Sequence, residues 1–492
     1  MMMWSKLKDN DYAGRQILYA GAALLLLCVA LFAYTGNFIC LAVPFVLAGM
    51  AWVSLSWKSF YWFFLFTIPL SCDIELGPLS TTVPDEQLMW LFVPVMMMVL
   101  AFNYKRIPGW FLRHPITLVF FLQFVWLVVA VIFSENHLLS LKFLAAKIWF
   151  LNAYVVLPVL IIRERKDFVR AYLLFAVPAL LHALFAFVWH FFLNFDYWAS
   201  NDVVRPFYVN HVDYSTVISM LFPLSLTAYQ LTKGKGLQRW IILGSILFLI
   251  PAIYYAGARA AMLGVLFSLA VAFAIRKKLV NFIMPAFFIF IGSVIFYLAH
   301  NEQYVKYRPN LKYTATQRTF GDLITATFRG TDMSSMERFY RWIAAVRMSR
   351  ERPVTGVGPN NFYDHYKAYT SPMFKTWVSR NPERSTTHNY FLFMLVEQGW
   401  PASILYGILV MVVLAQAQRI YHRARDPFYK KVTMGLTMMF AVGFINNFFS
   451  ELLETHKIGA LFYLSIILLI IVDHITRKQN AAADAQAPST SA

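Results

Sequence analysis

At 492 residues, of which 59% are hydrophobic and only 14% charged, the chain is too apolar for a water-soluble globular protein. A formal charge of +18 would suggest nucleic acid in a soluble protein. Here the bases sit in connections between apolar runs, which excludes nucleic acid as a partner and points to a lipid bilayer. Three cysteines, Cys28, Cys40 and Cys72, form no CxxC or Cys/His spacing, so neither a disulfide framework nor a metal is expected, and no cofactor is implied.

In chain order, apolar runs able to cross about 30 Å of hydrocarbon fall at 17–35, 38–55, 60–71, 88–102, 115–134, 143–162, 171–193, 214–232, 240–256, 260–275, 279–299, 390–415, 432–449 and 458–472. The third is short enough to be re-entrant. The expectation is an all-α polytopic membrane protein of 12–14 transmembrane helices. The first span follows Lys6, Lys8 and Arg15 but no small-residue cleavage site follows it, so it reads as a retained helix.

Alternate connections carry the bases: Lys58; Lys105, Arg106 and Arg113; Arg163, Arg165 and Lys166; Lys233, Lys235 and Arg239; Arg276 to Lys278; Arg419 to Lys431; and Arg477 with Lys478. By the positive-inside rule these connections and both termini are cytoplasmic. The chain then divides into N-terminal spans 1–299, an outer loop domain 300–387, C-terminal spans 388–476 and a cytoplasmic tail 477–492. The tail is rich in Ala, Ser, Gln and Pro and is expected to be disordered. No internal repeat and no paired broken helices of the transporter kind occur.

The long polar loop 304–387 is expected to face outward, since long translocated loops escape the charge rule. It is rich in arginine, which asks for an anionic partner, either lipid headgroups or a phosphorylated substrate. Within it Ser334-Ser335-Met336-Glu337 reads as a capping box. The helix that follows carries Arg338, Arg341 and Arg347 and an aromatic face expected to lie on the membrane or the bundle mouth, and Pro353 ends it. Thr355-Gly356-Val357-Gly358 then reads as a turn with permissive backbone.

His388 closes the loop where the chain re-enters an apolar run. A histidine there can be a general base titrating near neutrality or a cationic phosphate contact, the plainer reading being an interfacial ring that only hydrogen-bonds. Asn389 stands beside it. Arg259, between two apolar runs and among small residues, is costly unless paired and marks a functional position, with snorkelling to headgroups as the alternative. Arg338 and Arg341 can each grip a phosphate through two parallel hydrogen bonds, or be solvated charges on an interfacial helix. Lys142 and Lys147 lie near an outer helix end, and Arg205, Asn210, His211 and Asp213 form a second outer cluster too sparse for a metal.

These residues stand in an ordered series: Arg205-Pro206-Phe207 with Asn210-His211; Gly257-Ala258-Arg259; Arg338 with Trp342; Arg352-Pro353, Gly356, Gly358-Pro359 and Phe362; His388-Asn389 with Leu392; and Glu397 with Gly399. The series resembles the O-antigen ligase and polymerase superfamily of bacterial envelope enzymes over residues 205–401. That resemblance implies a GT-C-like membrane fold with a partly helical periplasmic loop, in the bacterial inner membrane with a periplasmic active site. It also implies a metal-independent glycosyl transfer from a glycan on undecaprenyl pyrophosphate. Carried onto this chain, Arg259 and Arg338 resemble the pyrophosphate-binding arginines, with Arg341 able to exchange roles with Arg338, and His388 resembles the residue that activates the acceptor hydroxyl. Asn389, His211 and Arg205 would support them. Gly257-Ala258-Arg259-Ala260 departs from the more usual Ser-Arg-Gly. The acceptor is lipid A–core in a ligase and another lipid-linked glycan in a polymerase, and the ligase is the favoured expectation. A lipid-linked oligosaccharide flippase is the alternative of another class, disfavoured because the candidate residues gather at one face.

Overall fold

The computed structural model describes residues 11–36, 39–76, 79–234, 236–307, 332–375 and 386–486. Of the loop 304–387, the segments 308–331 and 376–385 lie outside these, and with them Arg308, Lys312, Arg318, Arg329, Arg380 and Arg384. The helices are α1 (Asp11–Thr35), α2 (Ile39–Thr67), α3 (Asp85–Asn103), α4 (Pro115–Ile132), α5 (His137–Ile161), α6 (Arg165–Phe192), α7 (His211–Leu231), α8 (Leu237–Tyr255), α9 (Arg259–Arg276), α10 (Val280–Ala299), α11 (Met333–Ser349), α12 (Tyr390–Arg423), α13 (Pro427–Phe449) and α14 (His456–Gln486). Among the described residues one antiparallel hairpin, β1 (Cys72–Leu76) with β2 (Leu79–Val83), pairs Cys72 with Val83. The protein is an all-α polytopic membrane protein. Among the described residues ten helices are long and apolar enough to span: α3 to α6, α8 to α10 and α12 to α14.

The expected spans 38–55 and 60–71 are one continuous run of helix, broken at Ser56 (φ −155°, ψ 67°). The rings of Trp52 and Phe63 are 5.1 Å apart. In an unbroken helix eleven residues would separate them by about 16 Å, so α2 doubles back at Ser56 into two short arms. The tail also departs from expectation. Helix α14 continues to Gln486 through the stretch expected to be disordered. Extension from a formed helix avoids the nucleation cost, alanines favour it, and Asn480 Nδ2 donates to the Arg423 carbonyl (3.0 Å) while Arg425 meets Asp484 (2.7 Å).

The C-terminal helices form the centre. Of the most apolar stretch of α14, 89% of residues are buried, against 11% for α10 at the lipid-facing periphery. Helix α7 is buried from Tyr214 to Pro223 and carries Ser215, Thr216 and Ser219 inward. Small residues let these helices approach: Gly264 of α9 lies against Asn446 and Val442 of α13, Gly435 meets Thr227, and Thr216 Oγ1 donates to Asn446 Oδ1 (3.1 Å).

The loop domain has its own small core. Tyr340, Ile343, Ala344, Ala345 and Met348 of α11 pack on Val357, Phe362, Tyr366 and Phe374, and on Val396 of α12. The apolar face of α11 therefore covers the loop's own core and the start of the spanning helix α12, in line with the expected bundle mouth and not with the membrane surface. The segment 353–362 is tied to α12 where that helix breaks at Gly399 (φ +79°). Trp400 N donates to the Pro353 carbonyl (2.9 Å), and Val357 N and Gly358 N donate to the carbonyls of Val396 and Glu397. The Glu397 carboxylate accepts the N–H groups of Asn360 (2.7 Å) and Phe362 (3.2 Å). A Cβ at Gly358 (φ +106°) would lie 2.0 Å from Ser134 Oγ, so only glycine fits this docking turn. The motif residues Gly358, Glu397 and Gly399 thus fasten the loop onto the bundle.

Candidate active site

At the loop-side end of the bundle, the start of α9, the start of α11, the His388-Asn389 pair before α12 and the turn after α13 come together. Gly257 (φ +75°) turns the chain so that α9 opens on Arg259. Its Nη2 lies 2.8 Å from Asp332 Oδ2, and that oxygen also accepts the Ser335 N–H (2.9 Å) and hydroxyl (2.8 Å). Asp332 is thus the cap of α11, one residue before the helix, where a capping box beginning at Ser334 was expected. Two helix N-termini and a guanidinium meet here, and each favours negative charge. The buried carboxylate of Asp332 supplies it.

Arg338 lies one turn into α11. Its Nε donates to the Phe449 carbonyl at the end of α13 (3.1 Å) and its Nη1 to Ser334 Oγ (2.6 Å). Burial, and Arg259 beside it, pull this guanidinium down to about 10, against the opposing pull of Asp332 and Glu451. Arg341, on the next turn, is buried, with Glu337 at 4.0 Å.

His388 adopts a left-handed backbone (φ +51°), the bend that turns the loop into α12. Asn389 caps that helix by accepting the Leu392 N–H (3.0 Å), and its Nδ2 donates to the Phe448 carbonyl (2.9 Å). The sequence suggests a ring titrating near neutrality. Burial first, then the fields of Arg341 and Arg338, push His388 down to about 3, so the ring is neutral at physiological pH.

The remaining candidates lie further out. His211 opens α7, its Nδ1 2.7 Å from Asn201 Oδ1, with the Tyr197 ring 5.8 Å away. Tyr197 is raised by burial and feels Arg259, Asp332 and Arg338, so this ring lies near both His211 and the arginines. Arg205 is exposed on the same segment. Lys142 is exposed, whereas Lys147 pairs with Glu454 (2.7 Å), which also accepts from the Tyr390 hydroxyl (2.8 Å). Among the described residues no cluster of His, Cys, Asp and Glu could hold a metal.

Two carboxylates escaped the sequence reading. Asp332 was one acid among several in the loop. Glu451 lies in the turn between α13 and α14, accepts the His388 main-chain N–H, and sits within the fields of Arg341 and Arg338. An acid at a membrane boundary, on the same side as the arginines, was the signal available for it.

The fold is that of a polytopic membrane protein in which a loop helix and the ends of the spans bring Arg259, Arg338, Arg341 and His388 together at one end of the bundle. A family model described as O-antigen ligase matches residues 244–407, a match that supports the likeness of this segment to the O-antigen ligase and polymerase superfamily. The matched segment includes Arg259, Arg338, Arg341 and His388 and stops short of Arg205, His211 and Glu451. No curated protein sequence matches the chain.

Proposed function

We propose that this protein is a membrane glycosyltransferase that moves a glycan from undecaprenyl diphosphate to an acceptor hydroxyl at the periplasmic face, as a ligase acting on lipid A–core. One observation carries the reading: Arg259, Arg338 and Arg341, on two separate helices, gather with His388 at one end of the bundle. A diphosphate offers Arg259 the same oxygen chemistry that Asp332 offers it in the free protein, with more charge and a second guanidinium within reach. Diphosphate is already a good leaving group. Arginines fixed in a partly buried rim offset the charge that develops on its departing oxygen, the usual largest contribution to such catalysis. Attack by the acceptor from the face opposite the diphosphate inverts the anomeric carbon and needs no pair of catalytic carboxylates of the retaining kind. Neutral His388 can hydrogen-bond the acceptor hydroxyl without repelling the arginines.

The test is transfer by purified protein in liposomes given an undecaprenyl-diphosphate-linked glycan and lipid A–core. A glycosylated core is the expected product. Lengthening of the lipid-linked glycan without core modification would make the protein a polymerase. Movement of intact donor between leaflets with no transfer would make it a flippase.

A further inference from the structure

The turn between α13 and α14 holds a group that the arginine–histidine site leaves unused. Building on the transfer reaction above, we propose that the Glu451 carboxylate, and not the His388 ring, receives the proton of the acceptor hydroxyl.

The geometry is that of a placed base. Arg338 Nε binds the Phe449 carbonyl and Asn389 Nδ2 binds the Phe448 carbonyl, so two site residues stitch this turn to the rim. One edge of the carboxylate is fixed by the His388 N–H. Its Oε2 is shielded from solvent and has no hydrogen-bond partner among the described residues. A buried carboxylate oxygen left open costs stability, and substrate can satisfy it.

The charged and titratable surroundings agree. Arg338 and Arg341 face Glu451 from α11, His388 from the start of α12 and Glu397 from further along α12, while Glu454 of its own turn is neutralised by Lys147 of α5. Burial raises Glu451 to about 7, the arginines and the His388 N–H opposing it. A base works best with a pKa near the working pH, which Glu451 has and His388, at about 3, lacks.

In the step, the acceptor oxygen bonds to the anomeric carbon while the bond from that carbon to the diphosphate oxygen breaks. The bonding pair leaves on the diphosphate, where Arg259 and Arg338 meet it, and the hydroxyl proton passes to Glu451 Oε2 and then to solvent.

The test is the single-turnover rate with saturating donor in liposomes from pH 5.5 to 9, for wild type, Glu451→Gln, Glu451→Asp and His388→Ala, with donor binding measured separately. Wild type should slow about tenfold per pH unit below an inflection near 7, because protonated Glu451 accepts nothing. Glu451→Gln should bind donor normally, react at least about a hundredfold more slowly and lose the inflection. Glu451→Asp should keep part of the rate, and His388→Ala should keep the inflection. A flat wild-type profile, a Glu451→Gln rate near wild type, or loss of donor binding in that variant overturns the assignment. Wild type that transfers nothing from the lipid diphosphate removes the proposed function, and this inference with it. Normal transfer with an unaffected Glu451→Gln removes only the inference.

Discussion

Both ends of the bundle hold an acid between two arginines, and they use it in opposite ways. At the end away from the loop, Asp473 of α14 is almost fully buried and ion-paired: Arg423 and Arg477 (2.7 Å) both pair with it, and His114 Nε2 lies at 3.7 Å. At the loop end, Arg338 and Arg341 are within electrostatic reach of Glu451, yet its Oε2 has no partner among the described residues, and Arg338 spends its Nε on a main-chain carbonyl. The first arrangement closes the charges on one another and clasps α12 to α14. The second leaves positive charge and a carboxylate oxygen unspent in a partly buried place, an arrangement suited to a ligand that brings its own charge.

If the rim holds the reacting diphosphate, its residues should govern rate while the clasp governs stability. Arg338→Ala should lower transfer by about a thousandfold, the upper scale for removing one preorganised charge donor. Arg259→Lys should lose much of the rate as well, since a point ammonium cannot replace a guanidinium fork. Transfer assays on folded protein read both, and near-normal rates would leave these arginines as headgroup anchors. Next in size, Gly358→Ala should destabilise the docked loop by about 3 kcal/mol, from the strained backbone together with the clash on Ser134. Hydrogen exchange should rise across residues 353–362 and spare α13 and α14; a uniform rise would mean the loop is not a separate docking unit. Smallest, Asp473→Ala should cost about 2 kcal/mol, below the usual 3–5 for a broken buried pair because both arginines reach solvent. Thermal unfolding should shift down while transfer per folded molecule stays unchanged. A change in rate at constant stability would erase the contrast between the two ends.

Much of the fold was legible because long apolar runs have few alternatives in a bilayer. The doubling back at Ser56 was half legible: the runs 38–55 and 60–71 were separable, but nothing in Trp-Val-Ser-Leu-Ser-Trp announces a reversal inside one helix. The helical extension to Gln486 was missed because composition was weighed and the helix feeding into it was not. In the candidate site, Arg259, Arg338, Arg341 and His388 stand out by type and order. Their setting does not. The partner of Arg259 lies across the chain at Asp332, and the neutral state of His388 depends first on burial and then on two arginines, both of which only the fold supplies. Glu451 carried only its place at a membrane boundary as a signal, since its meaning comes from the His388 N–H and the α11 arginines.

The most direct test of the account is donor affinity, measured in nanodiscs with an undecaprenyl-diphosphate-linked glycan for wild type, Arg338→Ala at the rim and Arg477→Ala at the clasp. Loss of a charge-assisted, partly buried contact to diphosphate should weaken binding by about tenfold to a hundredfold in Arg338→Ala, with Arg477→Ala indistinguishable from wild type. Equal affinity in all three proteins, or equal loss in both variants, would contradict the assignment of the loop-side arginines as the diphosphate site.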